Sequence, residues 1–154
     1  MSSIEYRKFI TATRPVKSLV SALKSQAGRN NSGRITVRHQ GGGVKRMYRQ
    51  VDFKQNFYGI TAKVEAIEYD PNRTSFIARI IYKNGLRSYI QAPQNLNVGM
   101  EIASYKEEGP LKPGNRMPLK YIPVGTAVYS VELNPGQGGK LGRSAGVFIG
   151  LSAK

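Results

Sequence analysis

Between Tyr6 and Val51 the chain carries no carboxylate side chain, so every charge in that stretch is positive. The first 54 residues hold 12 Lys and Arg against two acidic residues, whereas residues 55–154 hold 12 against seven. Glycines and asparagines punctuate residues 28–43, and the apolar residues there show little periodicity. Such a segment cannot bury enough apolar area to offset the entropy of ordering. We therefore expect it to be disordered alone and ordered by a polyanionic partner.

Two kinds of polyanion fit a formal net charge of +15, namely nucleic acid and an anionic membrane surface. Membrane binding would require a basic amphipathic helix. The only candidate, Pro15 to Gln26, has four apolar residues at helical spacing: Val16, Leu19, Val20 and Leu23. That helix is short, and no apolar run reaches the roughly 20 residues of a membrane span. We therefore predict a nucleic-acid partner and no membrane partner.

Residues 60–121 carry the pattern of several short antiparallel strands. We predict strands at residues 61–69, 75–82, 87–92 and 100–104. Asp70-Pro71-Asn72-Arg73 forms a turn between the first two strands, and Asn84-Gly85 forms a two-residue hairpin loop after the second. Short strands separated by turns about every ten residues indicate a small barrel.

Residues 122–154 contain too little to close a second barrel. We predict a strand at residues 126–133, a glycine-rich loop at 134–143 and an apolar strand at 145–151. An isolated pair of strands is marginal in water, and an interrupted barrel leaves strand edges that need partners. We therefore expect something else to complete this part.

The residue pattern does not support enzymatic chemistry. Gly41-Gly42-Gly43 lacks the Gly-Lys-Ser/Thr ending of a phosphate-binding loop, and the single histidine, His39, has no nearby carboxylate to orient it as a base. No cysteine is present, which excludes disulfides and thiolate zinc sites. The pair Glu107-Glu108 is more typical of solvated residues than of metal ligands. We predict a protein that is not an enzyme and has no cofactor, with Mg²⁺ only as part of a bound RNA.

The basic glycine-rich segment suits RNA better than it suits a flexible, solvated tail. Its glycines let backbone approach a polyanion, and its arginines offer planar forks to phosphates and bases. The segment is not a repeat, and Tyr48 and Phe53 are available to stack on bases. The aromatic residues of the predicted barrel, which are Tyr69, Phe76, Tyr82 and Tyr89, are more typical of core than of stacking platforms. Tyr82 and Tyr89 lie near the hairpin and could do either.

Several motifs resemble, in the same order, those of the universal large-subunit ribosomal protein L2 family. They are Gly28-Arg-Asn-Asn-Ser-Gly-Arg-Ile-Thr36, Arg38-His-Gln-Gly-Gly-Gly43, Tyr48-Arg-Gln-Val-Asp-Phe-Lys54, Glu68-Tyr-Asp-Pro-Asn-Arg73, Lys112-Pro-Gly-Asn115, Ile122-Pro-Val-Gly125 and Gly138-Gly-Lys-Leu-Gly-Arg-Ser-Ala-Gly146. The resemblance covers the chain from about Gly28 onward. It implies a mainly β fold with a basic extended N-terminal arm (residues 1–54). A five-stranded oligonucleotide/oligosaccharide-binding (OB) barrel follows (55–121), then the first strands of an SH3-like barrel (122–154).

The same resemblance implies a structural constituent of the large ribosomal subunit that binds large-subunit rRNA. It further implies support for assembly, subunit association and the peptidyl-transferase region. The RNA-binding residues that it implies fall into a first group in the arm and a second group in later motifs. The first group is Arg29, Asn30, Asn31, Arg34, Arg38, His39, Gly41, Gly42, Lys45, Arg46, Tyr48, Arg49 and Lys54, and the second is Asn72, Arg73, Lys140, Arg143 and Ser144.

Family members continue past Lys154, so we expect a second polypeptide of the same family to supply the missing strands. The other expected partners are rRNA and neighbouring ribosomal proteins. Split ribosomal proteins are typical of organelles, and we predict a mitochondrial large subunit, with a plastid or the bacterial cytoplasm as the alternative.

Two other functions remain as alternatives. A free-standing OB-type RNA chaperone or translation factor would depend on exposed aromatics over the barrel face. A lipid-binding or scaffold protein would bind anionic vesicles without preferring RNA. Recovery with the large subunit at high salt distinguishes the ribosomal function from a salt-labile association with many RNAs.

Overall fold

The computed structural model describes residues 5–153, and its fold is mainly β. The strands are β1 (Val20–Ala22), β2 (Met47–Arg49), β3 (Ala62–Glu68), β4 (Ile77–Tyr82), β5 (Arg87–Gln91), β6 (Glu101–Ile102), β7 (Ala127–Val128) and β8 (Ile149–Gly150). Short 3-10 turns lie at Tyr6–Lys8, Lys17–Leu19 and Leu119–Tyr121. No helix within residues 5–153 is long and apolar enough to cross a membrane.

A four-stranded antiparallel sheet forms the centre of the protein, in the order β5-β4-β3-β6. Segments outside the regular strands pair with both edges of this sheet. Val51 forms a β-bridge with Tyr89 on β5, and Tyr58 forms one with Ser104 just after β6. The register of β3 against β4 shifts after Val64, and such a bulge bends a strand and increases its twist. The result is a curled half-barrel, which confirms the expected mainly β, OB-type architecture.

The concave side of this half-barrel holds the apolar core. Alternate residues of β3 and β4 point into it, as the period of a strand requires. The fully buried isoleucines of the core each contribute about 1.5–3 kcal/mol of transfer free energy. The core residues are Ala62, Val64, Ala78, Ile80, Tyr82, Ile90, Leu96 and Ile102.

Of the four aromatics predicted to be core, two are buried and two are not. Tyr82 and Tyr89, for which core and stacking were both open, are 6% and 0% exposed and belong to the core. Phe76 is only partly buried. Tyr69 retains 44% of its surface, so the prediction was wrong there, because Tyr69 follows the last residue of β3 and lies on the outer side.

Both predicted turns of the half-barrel form, at residues 70–73 and between β4 and β5. The second turn differs in length from the prediction. The Tyr82 N–H donates to Leu86 O at 2.9 Å, which leaves three residues in the loop rather than two. Gly85 adopts a φ of +83°, the left-handed position that ends a three-residue hairpin loop.

The candidate amphipathic helix at Pro15 to Gln26 does not form. A single 3-10 turn at Lys17–Leu19 leads directly into β1, which pairs with β2. The Val16 N–H donates to the hydroxyl of buried Tyr89 at 2.9 Å. β-Branched Val16 and Val20 favour extended backbone, so the long-range strand pairing outweighs the local apolar spacing.

Strand structure in the C-terminal region is shorter than predicted. The strand expected at residues 126–133 is reduced to β7, because Ser130 adopts a left-handed φ of +50°. After this break the chain resumes only as a bridge between Val131 and Leu141. The strand expected at residues 145–151 is reduced to β8, which pairs with β7.

Candidate nucleic-acid interface

One long excursion, residues 23–46, presents most of the residues predicted to contact RNA, and we call it the basic loop. It leaves the protein after β1 and returns at β2, where the pairing of Ser21 with Tyr48 closes its base. Every residue from Arg29 to Arg46 is exposed. Within the described residues, no cation of the basic loop forms an ion pair. Its charge is therefore directed at solvent or at a partner.

Asn30 organises the tip of the basic loop. Its Oδ1 accepts hydrogen bonds from the Arg34 N–H at 2.9 Å and the Ser32 hydroxyl at 2.8 Å. Its own N–H donates to Arg34 O at 2.9 Å. An asparagine side chain that bonds nearby backbone in this way stabilises a tight turn. Asn30 thus fixes the shape of the tip, while the Arg34 guanidinium makes no hydrogen bond inside the described chain.

Gly28 is the position where the basic loop requires glycine. Its φ is +66°, and a Cβ added there would lie 2.2 Å from Val37 O. Its carbonyl oxygen accepts the N–H groups of Thr36 at 2.9 Å and Val37 at 3.1 Å. This close approach doubles the chain back on itself, so that Arg29 and Arg38 begin from adjacent stretches of backbone.

The remaining predicted residues of the loop and its base differ in their exposure. Five are exposed in the loop itself, and two more are exposed after it: Asn31, His39, Gly41, Gly42, Lys45, then Tyr48 and Lys54. Arg49 is half-buried instead. Its Nη1 donates to Met47 O at 2.9 Å, and its buried Nε has no partner among the described residues. RNA contact by each of these residues stays a prediction.

Asn72 and Arg73 have internal roles that the sequence did not reveal. The Asn72 side-chain amide donates to Met47 O at 2.8 Å, which ties the turn after β3 to the base of the basic loop. Arg73 Nε lies 2.6 Å from Asp70 Oδ2, and the Asp70 side chain is fully buried. An ion pair with one buried member holds the turn firmly, because removing the cation would leave a buried charge unpaired.

Phe53, which the sequence made available for base stacking, is covered by arginines instead. The Arg143 guanidinium lies 3.8 Å from the ring centroid and the Arg73 guanidinium lies 5.5 Å from it. Phe53 O accepts hydrogen bonds from the Gly139 N–H at 3.0 Å and Arg116 Nη1 at 2.7 Å. Phe53 therefore joins the half-barrel to the glycine-rich loop of residues 134–143, and Arg143 stabilises that junction through a cation–π contact.

The Glu132 side chain holds the glycine-rich loop through hydrogen bonds to its backbone. Its carboxylate accepts the N–H groups of Gly136 at 2.9 Å and Gly138 at 2.7 Å, and it pairs with Arg116 Nη2. Burial raises the pKa of Glu132, but the backbone N–H donors and the Arg116 charge outweigh burial, and the net pKa is lowered. Two N–H groups of this loop therefore bind a carboxylate of the same chain rather than a phosphate.

The two other predicted residues of the glycine-rich loop lie at the surface. Lys140 is exposed, and its Nζ donates to Gln137 Oε1 at 3.0 Å. Ser144 is also exposed. The next residue, Ala145, donates its N–H to Thr74 Oγ1 at 3.1 Å, which places this end of the loop beside the turn after β3.

A buried polar network holds the chain that precedes the basic loop against the sheet. The Tyr89 hydroxyl accepts the Val16 N–H and donates to Glu68 Oε2 at 2.8 Å. Glu68 Oε1 accepts from Arg79 Nη1 at 2.9 Å. Burial raises the pKa of Glu68 and raises the pKa of Tyr89 to about 12. These hydrogen bonds hold the backbone at Val16 against the sheet.

Residues 5–153 contain no group of three or more His, Asp or Glu side chains that could hold a metal ion. Independence from cofactors stays a prediction. The geometry of the described chain is therefore that of a binding surface: an exposed cationic loop whose base is held by the sheet, the turn after β3 and the pairing of β1 with β2.

Comparison with known proteins gives the following matches. Residues 16–104 match the sequence model of the family described as "Ribosomal Proteins L2, RNA binding N-terminal domain". Residues 112–154 match the one described as "Ribosomal Proteins L2, C-terminal domain". The chain is also 56% identical, over 138 residues, to the large ribosomal subunit protein uL2 of Hyphomonas neptunium. That alignment covers 90% of this chain and 50% of the relative, so the chain spans about half the length of the curated protein it matches.

Proposed function

Because the chain belongs to the ribosomal protein L2 family, we propose that it is a structural constituent of the large ribosomal subunit that binds large-subunit rRNA. The basic loop is the single observation that carries this proposal. Its cations are exposed and form no ion pair in the described chain, and its backbone makes a close turn at Gly28 that requires glycine. Its base is held by the β half-barrel.

The loop would bind RNA mainly through phosphates. Arg34, Arg38 and Arg46 form no hydrogen bonds through their side chains in the described chain, so their guanidinium groups are available as bidentate donors to phosphate oxygens. Each phosphate neutralised releases bound counterions, which makes the affinity depend steeply on salt. The exposed glycines Gly41 and Gly42 allow the backbone to approach the strand closely.

We extend the proposal to a supporting role in assembly, subunit association and the peptidyl-transferase region. A cationic loop that enters folded RNA neutralises phosphates that would otherwise repel one another, and this favours a compact RNA fold. The role is structural, and RNA performs the catalysis. Neighbouring ribosomal proteins are the other partners that this role implies.

We also propose that a second polypeptide of the same family supplies strands to the C-terminal region. Phe148 and Leu133 there are 71% and 61% exposed, and Val124 and Val147 are at least half exposed. Apolar surface of this kind is normally covered by a partner. We also propose the large subunit of a mitochondrion as the location, with a plastid or the bacterial cytoplasm as the alternative; the similarity to a bacterial protein supports the bacterial alternative.

Sedimentation of large subunits at high salt tests the main proposal. The tagged chain should co-sediment with the large subunit, and replacing Arg34, Arg38 and Arg46 by Gln should release it. A charge-matched control replaces Lys63, Lys83 and Lys112, which are exposed outside the basic loop, and should stay bound. Recovery of the unaltered chain only at low salt, with many unrelated RNAs, would contradict the proposal and support an RNA chaperone instead.

A further inference from the structure

Four aromatic rings cluster on the outer surface where β3 ends and β4 begins, and we call them the aromatic patch: Tyr6, Phe9, Tyr69 and Phe76. Tyr6 lies 5.4 Å from Tyr69 and 6.4 Å from Phe76 between ring centroids, and Phe9 stacks on Phe76 at 6.2 Å. Two of the four rings precede residue 16, where the match to the L2 family begins. None of the four rings lies in the basic loop, while Tyr69 and Phe76 lie within the residues that match the family model.

The patch is built by docking the N-terminal segment onto the sheet. In the 3-10 turn Tyr6–Lys8, residues three apart point the same way, so Tyr6 and Phe9 present their rings together. Thr11 then anchors the segment, because its N–H donates to Ile67 O at 3.0 Å and its Oγ1 accepts the Ile67 N–H at 2.8 Å. These bonds extend the edge of β3 and hold the rings in place.

The rings are positioned but not buried. Tyr6, Phe9 and Tyr69 are 48%, 57% and 44% exposed. Aromatic rings that contact one another only partly leave a large apolar area in water, which is unfavourable unless something covers it. Their amphipathic, rigid surfaces are suited to stacking against flat partners.

The charge around the patch favours a polyanionic partner. The acidic residue nearest in sequence to Tyr6, Glu5, is paired with Lys8 at 2.8 Å. Arg7 and Arg14 are exposed and form no ion pair in the part of the chain that the structure describes. Exposed aromatics flanked by uncompensated arginines are the combination that binds single-stranded nucleic acid, with bases on the rings and phosphates on the cations. A protein partner would need acidic residues to match the same surroundings.

We propose that the aromatic patch is a second RNA-binding surface, on which unpaired bases of an RNA strand stack. This inference rests on the proposed RNA binding and adds a contact that depends on bases rather than on phosphates. Stacking is tolerant of sequence, because every base has a flat face. The patch would therefore bind a single-stranded segment of the RNA and would not bind a continuous duplex.

Binding of the full chain to short single-stranded oligoadenylate and to its abasic counterpart tests the proposal. The double variant Tyr6→Leu/Phe9→Leu keeps apolar side chains but removes the rings. It should bind the base-containing strand about fivefold or more weakly for each stacked base, with little change for the abasic strand. The matched control Tyr58→Leu/Phe148→Leu removes two exposed rings outside the patch and should behave like the unaltered chain. Thermal unfolding checks that both variants fold.

The outcomes separate the two proposals. Failure of the unaltered chain to bind either strand would contradict the proposed RNA binding itself. Binding of both strands, with the same base preference in the patch variant, would overturn only the aromatic patch. A photoreactive benzoylphenylalanine in place of Tyr6, in assembled large subunits, gives an independent test. Crosslinks to RNA support the proposal, and crosslinks to protein alone would overturn it.

Discussion

The hydroxyl of Tyr89 and the carboxylate of Glu68 form a buried hydrogen bond of 2.8 Å between β5 and the end of β3. The same hydroxyl accepts the N–H of Val16 at 2.9 Å. One side chain on the sheet therefore fixes the chain just before β1, and so fixes where the basic loop begins. The network links the stability of the half-barrel to the placement of the proposed RNA-binding surface.

Replacing Tyr89 by Phe removes that hydroxyl and leaves the Glu68 carboxylate and the Val16 N–H without it. We expect the free energy of unfolding to fall by about 1–3 kcal/mol, because buried polar groups lose their partner. Urea denaturation measures the change. Tyr58→Phe is the control, since Tyr58 is 38% exposed. If both substitutions lowered the free energy of unfolding by the same small amount, the buried hydrogen bond of Tyr89 would not stabilise the fold.

Glu132→Gln should change how stability depends on pH. Because the pKa of Glu132 is lowered in the folded chain, its carboxylate stabilises the fold above 4.5, the ordinary glutamate value, and this contribution is lost as pH falls through the lowered pKa. The variant should be less stable at neutral pH, by about 1–3 kcal/mol, and should lose less stability on acidification.

The difference between variant and unaltered chain, measured by denaturation from neutral to acidic pH, isolates Glu132 from other groups. Exposed Glu107 provides the comparison through Glu107→Gln, which should leave the profile unchanged. A Glu132→Gln profile parallel to that of the unaltered chain would rule out a stabilising role for this carboxylate in the glycine-rich loop.

Gly28→Ala should weaken RNA binding while it leaves the half-barrel intact. The added Cβ meets Val37 O, and alanine disfavours a φ of +66°. A strain of about 1–3 kcal/mol would open the turn and lower RNA affinity about fivefold to a hundredfold. Gly150→Ala is the matched control, because Gly150 lies outside the basic loop and nothing lies within 4 Å of its Cβ position. Equal affinities for the two variants would show that the shape of the loop does not matter.

Neutralising the basic loop should change the salt dependence of RNA binding. Replacing Arg34, Arg38 and Arg46 by Gln should reduce the slope of log affinity against log salt by about 0.7–0.9 for each phosphate that the variant no longer neutralises. Substitution of Lys63, Lys83 and Lys112 should leave the slope unchanged. An unaltered slope in the arginine variant would mean that other cations of the chain bind the phosphates.

Local patterns predicted the half-barrel well. The alternation in Ile77–Tyr82 and the turn residues on either side of it set the strand and its core face, because strand periodicity and turn chemistry both act over a few residues. The candidate helix at Pro15 to Gln26 does not form, because long-range contacts rather than local ones determine the structure of this segment. The conformation of this segment is determined by its pairing with β2 and its hydrogen bond to Tyr89, and both partners lie far away in sequence.

The sequence predicted the candidate RNA-binding residues correctly only where composition alone keeps a segment exposed. The basic loop is exposed as its composition indicated. Phe53 and Arg143 each looked like RNA-contacting residues, but they cover one another at 3.8 Å, and no local pattern reveals such a pairing. The aromatic patch was missed because Tyr6 and Phe9 lie in a segment whose docking through Thr11 has no sequence signature.

Crosslinking of RNA to protein within purified large subunits, followed by identification of the modified peptides, decides whether the basic loop binds rRNA. We expect RNA-linked peptides from residues 29–46, all of which are exposed, and we expect the recovered RNA to be large-subunit rRNA. Crosslinks confined to other parts of the chain, with the basic loop unmodified or joined only to protein, would refute RNA binding by this loop.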